Sequence, residues 1–180
     1  SRGLGDVYKR QTKRNKFNVP VRSFNGTVVL KVATETVKNR LKHYEAIKYK
    51  MENGVQTWFS KLRGKLMKKK IEDIVARYNS EIRGFYNYYS IANNVSYAAS
   101  KFGYIMEYSM YHTIAAKTNS SISKVIDKYK KGNDIIVPYH DAKGKLRYRV
   151  FYNEGFKRKL PSSFADVDNI PYIITVPQPT

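Results

Sequence analysis

The stretch YNSEIRGFYNYYSIANN, residues 78–94, decides how this chain is read. Five of its residues are aromatic, and its one acid, Glu81, stands against one base, Arg83. A helix serving only as core would be built from Leu, Ile and Val. Here rings and amide side chains sit together. Upstream the apolar residues continue at spacings of three and four through Ile71, Ile74, Val75, Tyr78, Ile82, Phe85 and Tyr89. That period predicts a helix from about Lys69 to Ile91 with one core stripe. Arg77, Asn79, Arg83 and Asn87 cannot all share the stripe, and Asn93-Asn94 ends the helix.

Downstream, Ser96 is expected to cap a second helix running to about Lys117, with Tyr97, Tyr104, Ile105, Tyr108 and Ile114 inward. Asn119 or Ser120 opens a third, with Ile122, Val125, Ile126 and Tyr129 as its stripe and Gly132 as its stop. Three amphipathic helices with short connections imply a helical bundle. After Gly132 the pattern becomes two strands around the turn Asp141-Ala142-Lys143-Gly144. On the second strand Lys145, Arg147 and Arg149 alternate with Leu146, Tyr148 and Val150, which predicts one cationic and one packing face. Lys157, Arg158 and Lys159 follow, then a proline-punctuated tail.

Toward the N-terminus, residues 1–11 show no periodicity and are read as a leader foreign to the domain. Asn25-Gly26 followed by alternating valines predicts a short strand within residues 24–34. Thr34 or Thr36 then caps a helix to about Tyr44, with Val37, Leu41 and Tyr44 on one face. Residues 38–70 carry eleven Lys/Arg against two Glu, densest at Lys68-Lys69-Lys70. Such a run is either a solvated face or a phosphate-contacting one. The fold class is therefore mainly α: a three-helix bundle preceded by a short strand and helix and followed by a small basic hairpin or extended region. The expected division is 1–11, 12–56, 57–132 and 133–180.

Composition narrows the function. The chain has 180 residues, with 34 Lys+Arg against 14 Asp+Glu and a formal net charge of +20. Like charges repel in the folded state, so the excess points to a polyanion, nucleic acid before a membrane surface. No run approaches the roughly 18 apolar residues of a membrane span. Without cysteine there is no disulfide framework or thiolate zinc site, and His43, His112 and His140 lie far apart. No phosphate loop or nucleophile motif occurs. Asp166 and Asp168 lie in the proline-flanked tail without a third ligand and do not make a metal site. Sixteen tyrosines distinguish the chain from a disordered basic tail. They suggest a folded surface where cations hold phosphates and rings pack or stack.

The run around residues 74–94 resembles the maturase-specific domain, or thumb, of group II intron-encoded reverse transcriptases. The matching residues are Ile74, Tyr78, Asn79, Ile82, Arg83, Gly84, Phe85, Asn87, Tyr88, Tyr89, Ala92 and Asn94. The resemblance continues through Tyr108-Ser109, Thr113-Ile114-Ala115 and Ala116-Lys117 in the next helix. Residues 26–44 resemble the chain leaving the polymerase palm, and YNEGFKRK and DVDNIP the region after the thumb, so the likeness spans roughly 24–175. The Tyr-Ala-Asp-Asp polymerase signature would lie upstream, and this sequence has no adjacent Asp pair. A cysteine-bearing endonuclease follows in some relatives; here there is no cysteine. The resemblance thus implies a C-terminal fragment that binds without polymerising or cutting, and needs no cofactor or metal. Its implied partners are structured intron RNA, target DNA and the remainder of the reverse transcriptase, with no membrane. Its implied setting is intracellular: cytoplasm in bacteria, an organelle in eukaryotes.

The expected nucleic-acid contacts are Lys68, Lys69, Lys70, Arg77, Asn79, Arg83, Asn87, Tyr88, Tyr89, Asn93, Lys117, Lys145, Arg147, Arg149, Lys157, Arg158 and Lys159. Each also has a structural reading: the amides as caps, the rings as packing, and Lys117 as a partner of its helix dipole. Gly84 costs about 1 kcal/mol of helix stability relative to Ala. A close approach by another helix or by an RNA backbone is the expected reason.

Overall fold

A computed structural model describes residues 13–14, 20–21, 29–52 and 54–159. The leader, residues 24–28 of the strand expected within 24–34, and the tail with Asp166 and Asp168 lie outside the described residues. The elements in order are β1 (Lys13–Arg14), β2 (Pro20–Val21), α1 (Thr34–His43), β3 (Ile47–Glu52) and β4 (Val55–Ser60). After a 3-10 turn at Gly64–Leu66 come α2 (Ile71–Tyr89), α3 (Val95–Lys117), α4 (Ile122–Tyr129), β5 (Lys130–Lys131), β6 (Asp134–His140) and β7 (Leu146–Val150). The fold is mainly α, as the periodicities predict.

Helix α2 starts where predicted. Glu72 and Asp73 in its first turn favour the positive end of the helix dipole. Its buried residues Ile74, Val75, Tyr78, Ile82 and Phe85 keep the predicted stripe. The stripe packs on α3, where Phe85 stacks on Phe102 with ring centroids 4.3 Å apart. Helix α3 is buried on more than one side because α1, α2, α4 and β4 all pack against it. Small residues permit this: Ala98, Ala99, Gly103 and Ser109 are buried, and a Cβ on Gly103 would lie 3.1 Å from the Phe156 ring. Two expected inward tyrosines are instead outside: Tyr97 is 71% and Tyr104 58% exposed.

The caps differ from the sequence reading. Ala33, not a threonine, precedes α1. Ser121 caps α4, its hydroxyl accepting from the Lys124 N–H at 3.3 Å. Asn94 occupies the position before α3, while the Ser96 hydroxyl donates to the Phe156 carbonyl at 2.6 Å. Residues 29–33 form no strand. They are held by the Asn94 amide, which accepts from Val32 N–H at 2.8 Å and donates to Val32 C=O at 3.0 Å. One side chain thus replaces a neighbouring strand.

The hairpin β3–β4 was hidden in the charge run. Its register pairs Glu52 with Val55, and Gly54 in the tight connection between them sits at φ +76°. Strands β5, β6 and β7 form an antiparallel meander in that order. A single core runs from Val32 to Tyr152 and draws on the segments before, within and after the three-helix bundle.

Candidate nucleic-acid interface

Two groups of exposed cations lie at opposite ends of α2. At its N-terminal end, Arg63 and Leu66 are buried and anchor the 3-10 turn. The chain that emerges between this anchor and α2 carries Lys68, Lys69 and Lys70, all exposed. Lys117, at the last turn of α3, donates to the Met67 carbonyl at 3.0 Å and so joins this group. Lys65 is held by Glu45 at 2.6 Å, and that hydrogen bond lowers the Glu45 carboxyl below its usual range.

The anchor itself is a buried polar network. Arg63 donates to both carboxylate oxygens of Glu81, at 2.6 and 3.1 Å, and Arg77 adds a third bond to Glu81 at 2.7 Å. Burial opposes the charge on Arg63, but Glu81 outweighs it and the guanidinium is held more firmly protonated than usual. The Tyr78 hydroxyl lies 2.8 Å from Ser109 Oγ and 3.1 Å from Thr113 Oγ1, and burial pushes its pKa up. Ser109 Oγ donates to Lys61 C=O at 2.6 Å, and Arg63 N–H donates to Thr113 Oγ1 at 3.0 Å. Every polar group of this network therefore fixes the segment that presents the lysines.

At the other end, residues 151–159 are strapped along α2. The Tyr86 hydroxyl donates to Lys157 C=O at 2.7 Å, and Lys159 N–H to Ser90 C=O at 2.8 Å. Arg158 Nε donates to Ile91 C=O at 2.9 Å. The last turn of α2 has no basic residue of its own, so this strap supplies cations to the negative end of its dipole. The side chains of Lys157 and Lys159 remain exposed, Lys159 Nζ lying 5.4 Å from the Tyr86 ring centroid, and at this end of α2 Asn87, Asn93 and Tyr88, which is 75% exposed, are exposed as well. Arg83 is also exposed; it pairs with Glu154 at 2.8 Å and lies over the Tyr152 ring.

Several expected contacts are structural instead. Asn79 is buried. Its amide donates to Val150 C=O at 2.8 Å and accepts from Tyr152 N–H at 2.9 Å, which fastens the end of β7 to α2. It is not free to meet a ligand. Tyr89 is half-buried against Phe85. Arg77 is exposed but held by Glu81.

The hairpin β6–β7 inverts its predicted faces. Directly paired residues share a face, and Arg149 pairs with the buried Val137 while Arg147 pairs with Tyr139. Arg149 accordingly lies over Tyr139, and its Nε is buried without a hydrogen-bond partner. Arg147 bonds Asp141 at 3.3 Å. The Lys145 N–H, with the Lys143 N–H and Arg147, holds the Asp141 carboxyl low against the opposing effect of burial. Lys145 keeps an exposed side chain. Leu146, Tyr148 and Val150 are the outward residues. Alternation alone cannot say which face meets the core when both carry long side chains.

Sequence reasoning missed other ring–cation pairs. Lys101 Nζ lies 3.9 Å from the Trp58 ring centroid, and Lys38 and Lys42 flank Tyr49. The alternation IKYKM followed by Asn53-Gly54 was the available signal for the hairpin that brings these rings into place. Gly84 is exposed, and a Cβ there would meet nothing within 4 Å. Helix packing is therefore not its reason. Among the described residues no three His, Asp or Glu side chains are grouped to hold a metal ion, and no helix is long and apolar enough to cross a membrane.

Comparison with known proteins agrees with the resemblance in the helices. The profile of the family described as type II intron maturase matches residues 12–147. The chain is similar to the group II intron-encoded protein LtrA of Lactococcus lactis subsp. cremoris, 32% identical over 161 residues. That match covers 89% of this chain and 26% of LtrA, so the chain spans about a quarter of its relative. The protein of the same name from strain MG1363 gives the same identity and coverage.

Proposed function

The chain belongs to the type II intron maturase family, and on that footing we propose that it is an RNA-binding part of a group II intron maturase. Its role is to grip structured intron RNA and stabilise the fold that splices. In the intact protein it also holds the primer–template duplex beside the polymerase site and contacts target DNA during intron mobility. The remainder of the reverse transcriptase is its protein partner. This segment works by binding rather than by chemistry and uses no cofactor.

The observation that carries the reading is the placement of cations at both ends of one rigid helix. Nineteen residues give α2 a length of about 28 Å at 1.5 Å per residue. Lys68–Lys70 with Lys117 stand at one end, and Lys157 and Lys159 with Asn87, Tyr88 and Asn93 at the other. A buried network and a backbone strap fix these positions before any ligand arrives. The lysines neutralise phosphates, and the exposed amides and tyrosine reach 2′-hydroxyls and bases. At Gly84 the missing side chain leaves room for an RNA backbone against α2.

The test is titration of this chain with a structured group II intron RNA and with an unrelated RNA of equal length, at two salt concentrations. Tighter binding of the intron, kept at the higher salt, supports shape recognition. Equal binding, lost together as salt rises, supports the rival reading of a generic basic module. Primer extension by this chain alone is expected to be nil; extension would overturn the binding-only reading.

A further inference from the structure

A cleft of about 200 Å³ opens beside α3. Tyr104, Tyr152 and Phe156 line it, together with Ile82 and Phe151. Gly103 lets the Phe156 ring close against the helix, since a Cβ there would come within 3.1 Å. Tyr152 and Phe156 are stacked on each other at 5.2 Å with an interplanar angle of 22°, so each covers one face of the other and the pair turns only its outer face and ring edges outward. The strap that carries this pair is pinned by Tyr152 hydroxyl to Gly155 C=O and by Ser96 hydroxyl to Phe156 C=O.

One acid enters this aromatic setting. Glu107 lines the cleft, and both its hydrogen bond from Tyr111, at 3.2 Å, and its ion pair with Lys130, at 3.8 Å, go to Oε1. Among the described residues Oε2 accepts no hydrogen bond. Two cations stand near the walls: Lys130 beside Glu107, and Arg83 over the Tyr152 ring. The volume is below the roughly 300–1,000 Å³ of ordinary small-molecule sites. It suits one planar ring, not a whole cofactor.

We propose that this cleft receives a single unpaired guanine base of an RNA strand. The ring stacks against the aromatic lining, as splayed bases do in sequence-specific RNA recognition. A carboxylate only accepts hydrogen bonds, and guanine presents two adjacent donors, N1–H and the 2-amino group, on its Watson–Crick edge. Adenine and uracil lack that pair. Lys130 and Arg83 take the flanking phosphates. The inference rests on the RNA-binding reading above and assigns a base-reading site to it.

The experiment uses uridine heptamers with a central guanine, hypoxanthine or adenine, titrated into this chain by fluorescence anisotropy. The structured intron RNA is titrated in parallel. The guanine heptamer is expected to bind at least about five-fold tighter than the adenine one, the lower bound for a bidentate base contact. Hypoxanthine, without the 2-amino group, falls between. Glu107→Gln is expected to remove the difference between guanine and adenine heptamers; Tyr104→Ala, at an exposed ring, weakens the guanine heptamer without unfolding the chain. No preference in the wild type, or a preference that survives Glu107→Gln in a chain with an unchanged unfolding midpoint, overturns the proposal. If Glu107→Gln unfolds the chain, the Tyr104→Ala result decides. Intact intron binding beside a failed guanine preference sinks the cleft alone, whereas loss of preference for the intron over unrelated RNA sinks the broader reading.

Discussion

Replacing Glu81 by Gln tests whether the buried network holds the lysine-bearing segment in place. The substitution keeps shape and removes charge. It leaves the Arg63 guanidinium, about a tenth exposed, facing a neutral amide in place of a carboxylate whose side chain is only 4% exposed. Removing one partner of a buried pair costs about 3–5 kcal/mol, because the remaining charge stays desolvated. Arg63 also lies 5.0 Å from the Tyr78 ring centroid and 5.6 Å from that of Tyr44. Such contacts are worth roughly 0.5–2 kcal/mol and survive the change, so the expected loss is near the lower end, about 3 kcal/mol. Arg77 is exposed and adds little. In a chain of this length about 3 kcal/mol corresponds to a fall of about 6–12 °C in Tm. Urea unfolding followed by circular dichroism should show the lower midpoint with an unchanged slope. The double variant Arg63→Met, Glu81→Met should recover most of the loss, since two apolar side chains leave no uncompensated charge. A loss below about 1 kcal/mol, the value of a surface pair, would refute the reasoning, and so would a double variant no better than the single one.

Four further outcomes follow from the same structure. Lys68→Gln, Lys69→Gln and Lys70→Gln together should reduce the salt slope of RNA binding by about 2–3 with no change in unfolding midpoint; an unchanged slope would show that these lysines meet no phosphate. Asn79→Ala should cost at least about 2 kcal/mol, leaving Val150 C=O and Tyr152 N–H without partners, and hydrogen exchange at Tyr152 should quicken; slow exchange would contradict its role as a fastener. Gly84→Ala should stabilise the free chain by up to about 1 kcal/mol, since the space is open, while weakening intron binding if an RNA backbone passes there. Burial, aided by the nearby positive charge of Lys48, holds the His112 imidazole below its ordinary pKa. As pH falls below about 6.5 the unfolded chain therefore takes the proton first, and stability is lost progressively down through the folded value. His112→Gln should shrink the fall in urea midpoint between pH 7.5 and 5.5; an equal fall in both proteins would assign the pH dependence elsewhere.

The helices were legible because their signals are local. The spacing of Ile74, Tyr78, Ile82 and Phe85 fixes both the existence of α2 and its buried face, and the turn at Asp141–Gly144 fixes the last hairpin. The β3–β4 hairpin was equally legible in Asn53-Gly54, but charge masked it: lysines alternate with Ile47, Tyr49 and Met51 on a strand whose second face is wet. Residues 29–33, read from the sequence as part of a strand before α1, form none, because what holds them is not a strand. The Asn94 amide takes that role from a position 62 residues away.

The sequence by itself determined the helical class, the order of the elements and the polyanion-seeking charge, since these depend on residue type and period. Only the tertiary structure decided the job of each polar and aromatic side chain. Asn79 and Tyr88 lie nine residues apart on one helix, yet Asn79 is buried under residues 150 and 152 while Tyr88 stands in solvent. Arg63 belongs by composition to the basic run, but Glu81 draws it into the core. Tyr97 and Tyr104 carry core-like rings, yet their side chains stand largely in solvent. Whether a side chain packs, pairs or waits for a ligand depends on which distant segment arrives beside it, and that is a property of the folded chain rather than of its local pattern.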